Sequence, residues 1–326
     1  MLRSMYSGIS GMKNFQTKLD VIGNNIANVN TYGFKKGRVV FKDLISQQIA
    51  GASGPTATKG GVNSRQVGLG SQLAAIDTLD TPGSTQTTGR TLDLALSGDG
   101  YFMVGSGTLP TPDATTGVRA QPYNFAGTPD ISYSRAGNFY FDKEGFIVNS
   151  DGLYVMGLTA SNDDTTPDDV TITYNAAGEP TVTGIENSKL GAIQVPTNAK
   201  SFSIGADGMV TYINKDGDLR VAGVISIGKF PNNGGLEKVG QNLYKPSANS
   251  GTHEVYDATG AFKLANMYFP GGNGAAEIVP GALEMSNVDL SEEFTEMIVA
   301  QRGFQANTKI ITTSDEILQE LVNLKR

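Results

Sequence analysis

The chain has 326 residues, with 41 Gly, no Cys, no Trp, a single His and a formal net charge of −7. Without Cys there are no disulfides and no thiolate metal sites, one His cannot build an ordinary zinc site, and the acidic balance argues against a general nucleic-acid binder. The charge is unevenly placed: residues 1–50 hold seven Lys/Arg and two Asp/Glu, whereas residues 284–326 hold four Lys/Arg and eight Asp/Glu. Opposite signs at the two ends predict that the ends lie together.

Residues 1–30 carry apolar side chains at Met5, Ile9, Met12, Phe15, Leu19, Ile22, Ile26 and Val29. Steps of three and four predict a helix that packs along another helix. Gly8, Gly11 and Gly23 weaken it by up to ~1 kcal/mol each relative to Ala, but they permit a close helix approach. Polar residues interrupt any apolar run, so the N-terminus does not read as a cleavable signal peptide, and no stretch of eighteen apolar residues predicts a membrane-spanning helix.

Asn30, Thr31 and Gly33 end this helix. From residue 51 the chain turns polar and Gly-rich and reads as an extended or mobile connector. Its glycines Gly51, Gly54, Gly60, Gly61, Gly68 and Gly70 are hinge candidates. Lys59 does not complete a phosphate loop, because the Gly-Lys-Ser/Thr order is missing.

A β pattern follows. Leu92, Leu94 and Leu96 alternate with Asp93 and Ala95 as a half-buried strand would. Strands are expected at 132–141, 146–148, 153–158, 201–204, 209–213 and 219–230, with turns at Asp99-Gly100, Lys143-Glu144-Gly145, Asp151-Gly152, Asp207-Gly208 and Asp216-Gly217. Close spacing and Asp-Gly turns predict antiparallel pairing. Residues 159–190 read as a small insertion with strands at 170–174 and 180–183.

The last forty residues carry the strongest periodicity. Leu290, Phe294, Met297, Phe304, Ile311, Leu318 and Val322 follow alternating steps, with Gln301, Thr308 and Asp315 as polar members of the series. Asp289 is a suitable N-cap with Glu292 three residues on. A helix over 290–324 would be about 50 Å long at ~1.5 Å per residue. It cannot bury its own stripe, and residues 1–30 are the partner offered by period and charge. The fold class expected is α+β. Long terminal helices (1–30 and 285–326) pair in a coiled-coil-like domain, 31–90 connect, 91–158 with 191–284 form a β domain, and 159–190 are inserted.

Catalytic constellations are absent from this pattern. His253 has no nucleophile elbow around it. Asp163, Asp164, Asp168 and Asp169 read as a solvated loop, and Asn214, Asp216 and Asp218 as a β-turn, since the calcium-loop Gly and final Glu are misplaced. No cofactor and no enzymatic activity are expected; an extracellular β enzyme or a monomeric binding module would tolerate loss of the chain ends.

Four runs carry a family resemblance. They are Gly23-Asn24-Asn25-Ile26-Ala27-Asn28-Val29-Asn30-Thr31-Tyr32-Gly33-Phe34-Lys35, Ser97-Gly98-Asp99-Gly100-Tyr101-Phe102, Ser134-Arg135-Ala136-Gly137-Asn138-Phe139, and 287–307 with Gln301-Arg302-Gly303-Phe304. In this order they resemble the axial proteins of the bacterial flagellum, the rod, hook and hook-associated subunits. The resemblance implies a structural subunit that polymerises with its own copies and is exported through the flagellar apparatus to the outside of the cell without a cleaved signal. The C-terminal run looks most like hook members, which implies a curved tube acting as a universal joint between motor and filament, with distal rod, hook cap and hook–filament junction proteins as neighbours. The alternative is the distal rod, a straight drive shaft, and the small insertion at 159–190 keeps it in view. As implied by the resemblance, the terminal helices line a central channel. Their residues predict that they order only on assembly, since a long helix without its partner is unstable and three glycines oppose it.

Overall fold

The computed structural model describes residues 2–56, 58–110, 125–159, 171–174, 180–183, 190–251, 263, 267–272 and 274–324. The chain divides into two compact units. The terminal unit comprises residues 1–29, 35–79 and 288–326, and the central unit residues 30–34 and 80–287.

In the terminal unit, α1 spans Leu2–Ala27 and α2 spans Leu290–Leu324, the bounds of α2 being those expected from its periodicity. Asp289 caps α2 as expected: its Oδ1 accepts from the backbone N–H of Ser291 at 2.8 Å and of Glu292 at 3.4 Å. Such a cap contributes about 1 kcal/mol. The helices run antiparallel against each other. Gly8 faces Ile311, Gly11 faces Asn307 and Phe15 faces Gly303.

Between the helices in sequence, β1 (Gly37–Asp43), β2 (Ser46–Ala50), β3 (Arg65–Gly68) and β4 (Ser71–Thr78) pair as one long two-stranded ribbon. β1 pairs with β4 and β2 with β3, both antiparallel, and isolated bridges at Ser53–Val62 and Thr56–Lys59 continue the ladder toward its tip. The connector read as extended or mobile is a hydrogen-bonded ribbon. Pairing partners up to about forty-one residues apart leave no local signal in a Gly-rich segment, which is why the pattern of residues does not announce the pairing.

The central unit holds, in chain order, β5 (Thr85–Thr87), β6 (Leu94–Ser97), β7 (Tyr101–Thr108), β8 (Ala126–Ser134), β9 (Tyr140–Phe141), β10 (Ile147–Val148), β11 (Tyr154–Thr159), β12 (Thr171–Tyr174), β13 (Pro180–Thr183), β14 (Leu190–Ala192), β15 (Ser201–Ile204), β16 (Met209–Ile213), β17 (Leu219–Ile225), β18 (Ile227–Gly228), β19 (Glu237–Gly240), β20 (Leu243–Lys245), β21 (Glu277–Pro280) and β22 (Ala282–Glu284). The main sheet follows the order β15-β16-β17-β11-β7-β8-β20-β19. Its described pairings are antiparallel, as the turn chemistry predicted. The β15–β16 and β16–β17 connections close through Gly208 and Gly217, whose N–H groups donate to Gly205 and Asn214 carbonyls at 3.1 and 3.0 Å.

Alternation along β7 sorts side chains to two buried clusters. Tyr101 and Met103 join Tyr133, Phe146, Met156 and Phe230 on one side. Phe102 and Val104 join Leu94, Phe139, Ile147 and Ile225 on the other. Period-two geometry with apolar residues at every position yields a sheet buried on both faces. The same holds at 92–96, where the alternation suggested a half-buried strand. Leu92, Asp93, Leu94, Ala95 and Leu96 are all buried. Asp93 is accommodated by bonds from Thr88 Oγ1 at 2.7 Å and Arg90 Nη1 at 3.1 Å.

β12 and β13 form a hairpin at the positions expected for the insertion. Asp163, Asp164, Asp168, Asp169 and His253 lie outside the described residues. Asn214, Asp216 and Asp218 sit in the turn described above: the Asn214 N–H donates to the Asp218 carbonyl at 2.9 Å.

Candidate assembly site

The inward face of α2 follows two seven-residue lines. One is Met297, Phe304, Ile311 and Leu318, all half-buried as the periodicity predicted. The other is Glu293, Ala300, Asn307 and Ser314, of which Glu293, Ala300 and Ser314 are buried. The sequence pointed instead to the line through Phe294, Gln301, Asp315 and Val322, which is exposed apart from half-buried Thr308. Leu290 is exposed as well. The difference has a physical cause: the inward line is small or polar, and its polarity is satisfied by hydrogen bonds. Asn307 Nδ2 donates to the Gly303 carbonyl at 3.0 Å, and Ser314 Oγ to that of Ile310 at 2.8 Å. On α1, Met5, Ile9, Met12, Phe15, Leu19 and Ile26 are half-buried and Ile22 is buried.

α1 has a second neighbour that periodicity did not announce. Phe15 meets Phe41 of β1 with ring centroids 6.4 Å apart. Asn14 Nδ2 donates to Ser71 Oγ at 2.8 Å. The ribbon therefore starts from the helix pair.

Asn25 joins three segments of this unit. Its Nδ2 donates to the Gly37 carbonyl at 2.9 Å and to Glu293 Oε2 at 3.2 Å, while its Oδ1 accepts from the Gly37 N–H at 3.0 Å. Lys36 Nζ pairs with Glu292 at 2.7 Å and approaches Glu293 at 3.8 Å; Lys18 pairs with Glu296 at 2.9 Å. These contacts realise the charge complementarity of the two chain ends. The hydrogen bond that Lys36 donates to Glu292 holds its ammonium above the ordinary lysine range, against a smaller opposing effect of burial. An amide suits the Asn25 position because it donates and accepts at once, matching a backbone N–H and C=O pair.

The remaining family-motif residues fall into place by unit. Asn28 Nδ2 donates to the Asn24 carbonyl and to Asn24 Oδ1, both at 2.9 Å, closing the end of α1. Ala27 is exposed there, as are Gln301 and Arg302 on α2, where Arg302 Nη1 reaches Gln305 Oε1 at 3.3 Å. Thr31, Gly33 and Phe34 belong to the central unit. Gly33 adopts φ +69 and lies so near the Arg135–Ala136 backbone that a Cβ would meet it at 2.6–2.8 Å. Its N–H donates to the Glu284 carbonyl at 2.9 Å. Phe34 is buried beneath the Lys238 ammonium, 5.0 Å from the ring centroid.

Arg135 and Glu284 form a buried ion pair at 2.7 Å, each side chain at most 2% exposed. Arg135 also donates to the carbonyls of Gly98 at 2.7 Å and of Gly100. Glu284 Oε1 accepts from the Gly83 N–H at 3.0 Å. The motifs at 31–34, 97–102 and 134–139 thus converge on one buried arginine, whose Nε, Nη1 and Nη2 each serve a different acceptor. Sequence marked Arg135 as a motif residue, but Glu284 was missed because a lone Glu in a strand carries no periodic signal. Around this pair, segments 30–34, 80–88 and 281–287 bond to one another: Asn287 N–H to Phe34, Met285 N–H to Ser84, and Asn287 Nδ2 to Thr81.

The hinge candidates lie along the ribbon. Gly68 ends β3, Gly70 accepts the Leu44 N–H at 2.9 Å, and Gly51, Gly54, Gly60 and Gly61 occupy the distal, exposed part. The terminal unit also exposes apolar side chains: Ile45, Ile49, Val62, Leu73 and Ile76 on the ribbon, and Ile298, Val299, Ile310, Ile317, Leu321 and Leu324 on α2.

Comparison with known proteins places this architecture. Residues 279–324 match the family described as flagellar basal body rod FlgEFG protein C-terminal, residues 126–212 the flagellar hook protein FlgE/F/G D1 domain, and residues 5–35 the flagella basal body rod protein family. A Bacillus subtilis (strain 168) protein named flagellar basal-body rod protein FlgG is 51% identical over 326 residues, covering 100% of both chains. Proteins named flagellar hook protein FlgE from Borreliella burgdorferi and Treponema pallidum are 33% and 30% identical, over alignments of 455 and 477 positions that cover 100% of each chain. The chain belongs to the FlgE/F/G family of flagellar rod and hook proteins, structural components of the flagellum rather than enzymes.

Proposed function

We propose that this chain is a subunit of the distal rod, the straight drive shaft, rather than of the curved hook. The observation that carries the reading is length matching. The rod relative aligns over 326 positions at 51% identity, whereas the hook relatives need 455 and 477 positions to align with 326 residues. Hook relatives therefore carry well over a hundred positions that have no counterpart here. The hook-like appearance of the C-terminal run gives way to this broader comparison. The three bonded segments around Arg135–Glu284 suit a shaft, because load entering the central unit through one segment is shared by the others.

The shaft polymerises through heterologous contacts between copies, which extend along a helical path without closing. The exposed apolar flank of α2 and the ribbon are the surfaces buried between subunits, and the terminal helices form a coiled-coil-like inner layer. An isolated two-stranded ribbon is marginally stable in water, so the ribbon gains its stability from neighbouring copies. Export without a cleaved signal, placement outside the cytoplasmic membrane, and adjoining rod and hook proteins as partners follow from this role.

Electron microscopy tests the reading. Purified chain assembled in vitro should form straight tubes, and flagellar bases from cells lacking it should end before the distal shaft. Curved, flexible tubes, or bases with complete rods but no hook, would restore the hook assignment.

A further inference from the structure

The helix pair meets through an unusual set of contacts: at three successive levels one partner is glycine. Gly303 lies against the Phe15 ring, where a Cβ would meet Cζ, Cε1 and Cε2 at 2.6, 2.8 and 2.9 Å. Gly11 lies against the Asn307 carboxamide, where a Cβ would meet Nδ2 at 2.9 Å and Cγ and Oδ1 at 3.1 Å. Gly8 lies against Ile311, with Cγ1 at 3.4 Å from such a Cβ. Gly23, by contrast, has nothing within 4 Å. Helix propensity cannot explain glycine at the first three sites, since it opposes it. The large member switches helix, from Phe15 on α1 to Asn307 and Ile311 on α2.

We infer that Gly303, with Gly11, sets the register of α1 against α2 as a steric key, with Phe15 as its tooth. A hydrophobic stripe alone cannot choose between positions seven residues apart, because the inward line Met297, Phe304, Ile311 and Leu318 presents a large apolar side chain at every heptad. Sliding α2 by one heptad sets Phe15 against Glu296 or Ile310 in place of Gly303, so a side chain occupies the slot in either direction. Only the observed register also keeps Lys18 on Glu296 and Asn25 on Glu293. Gly303 and Gly11 are positioning residues: they hold the helices in the alignment that presents the exposed flank of α2 to a neighbouring copy.

The absence of Cys makes the register directly readable. Met12→Cys with Thr308→Cys places two thiols on either side of the contact at which Thr308 Oγ1 and Met12 Sδ stand 3.5 Å apart; a Cys sulfur sits one bond nearer its backbone than Met Sδ, so a short bifunctional thiol reagent bridges the pair. In the full chain, this reagent should close an intramolecular cross-link, and Gly23→Ala should leave it in place. Gly303→Ala should reduce cross-linking at least several-fold. Phe15→Leu in the Gly303→Ala background should restore it, since Leu lacks the three ring atoms that collide. Tube formation, followed in parallel, should be lost and regained with the cross-link. The inference is overturned if the 12–308 pair fails to cross-link with Gly303 present. It is equally overturned if Gly303→Ala cross-links like its parent, or if Phe15→Leu cross-links alone but does not rescue Gly303→Ala. Tube assembly depends in addition on the polymer reading above. A key that works in the cross-link of a chain forming no tubes would refute that reading and leave this one standing.

Discussion

The two units bury their apolar residues very differently. Among the described residues, the buried hydrophobic side chains of the terminal unit are Ile22, Val288 and Ala300, while the central unit holds all the others, from Phe34 and Leu92 to Leu283. Exposure is reversed. Among the described residues, the central unit exposes large hydrophobics at Tyr140, Leu219, Val239 and Val279, against sixteen such residues in the terminal unit, among them Ile45, Ile298, Ile317 and Leu321. A domain that leaves its aliphatic side chains in water while covering small and polar ones is folded for a partner. The central unit buries its apolar residues within one chain; under the proposed assembly, the terminal unit buries its exposed ones against neighbouring copies.

The sharpest way to break this comparison is to charge the exposed flank. Ile317→Asp with Leu321→Asp should abolish tubes in sedimentation assays. Surface positions of this kind should change the monomer's stability by no more than ~0.5 kcal/mol. If tubes persist, the flank is not an interface. Next in size is the buried ion pair of the central unit. Arg135→Ala leaves Glu284 charged and buried, at a cost of about 3–5 kcal/mol, read as a loss of midpoint in urea unfolding of the β signal. A change below ~1 kcal/mol would show that the pair is not the anchor of the motif segments.

Within the terminal unit the effects are smaller. Asn25→Ala strands the Gly37 N–H and removes the amide from Glu293, costing roughly 1–3 kcal/mol. The helical signal should melt earlier while the β transition stays in place; a shift of both together would contradict the separation of the units. Gly23→Ala, into open space, should raise helix stability by ~0.5–1 kcal/mol, whereas Gly303→Ala should not. The smallest effect concerns pH. Because the folded state holds the Lys36 proton more tightly than the unfolded chain does, its ion pair contributes fully at neutral pH and is lost only as pH rises through the raised folded-state value. Lys36→Met should flatten the alkaline limb of tube stability. An unchanged alkaline limb would remove Lys36 from the account.

Much of the local architecture is legible in the amino-acid sequence. The bounds of α2 follow from Asp289 and a repeated seven-residue step, and β15 and β16 from turn glycines bracketing short alternating runs. The ribbon is not legible. Its strands carry neither an alternating apolar pattern nor close turn signals, and their pairing spans up to about forty-one residues. Leu219–Ile225 and Ile227–Gly228 read as one strand because nearly all their residues are apolar; Ser226, between them, instead bonds to the Met156 carbonyl at 3.0 Å.

By itself the sequence determined the elements whose cause is local: caps, turns, period-two runs, and the half-buried line Met297, Phe304, Ile311 and Leu318 on α2. Its four motifs determined the family. Tertiary structure alone decided which residues fill the second inward line, Glu293, Ala300, Asn307 and Ser314, and that Gly303 faces Phe15. It alone brought Gly33, Gly98, Gly100 and Glu284 around Arg135. The reason is common to all of these. Close approach of glycine, polar contacts between distant residues and buried ion pairs act across space, and none of them imposes a period on the chain that contains them.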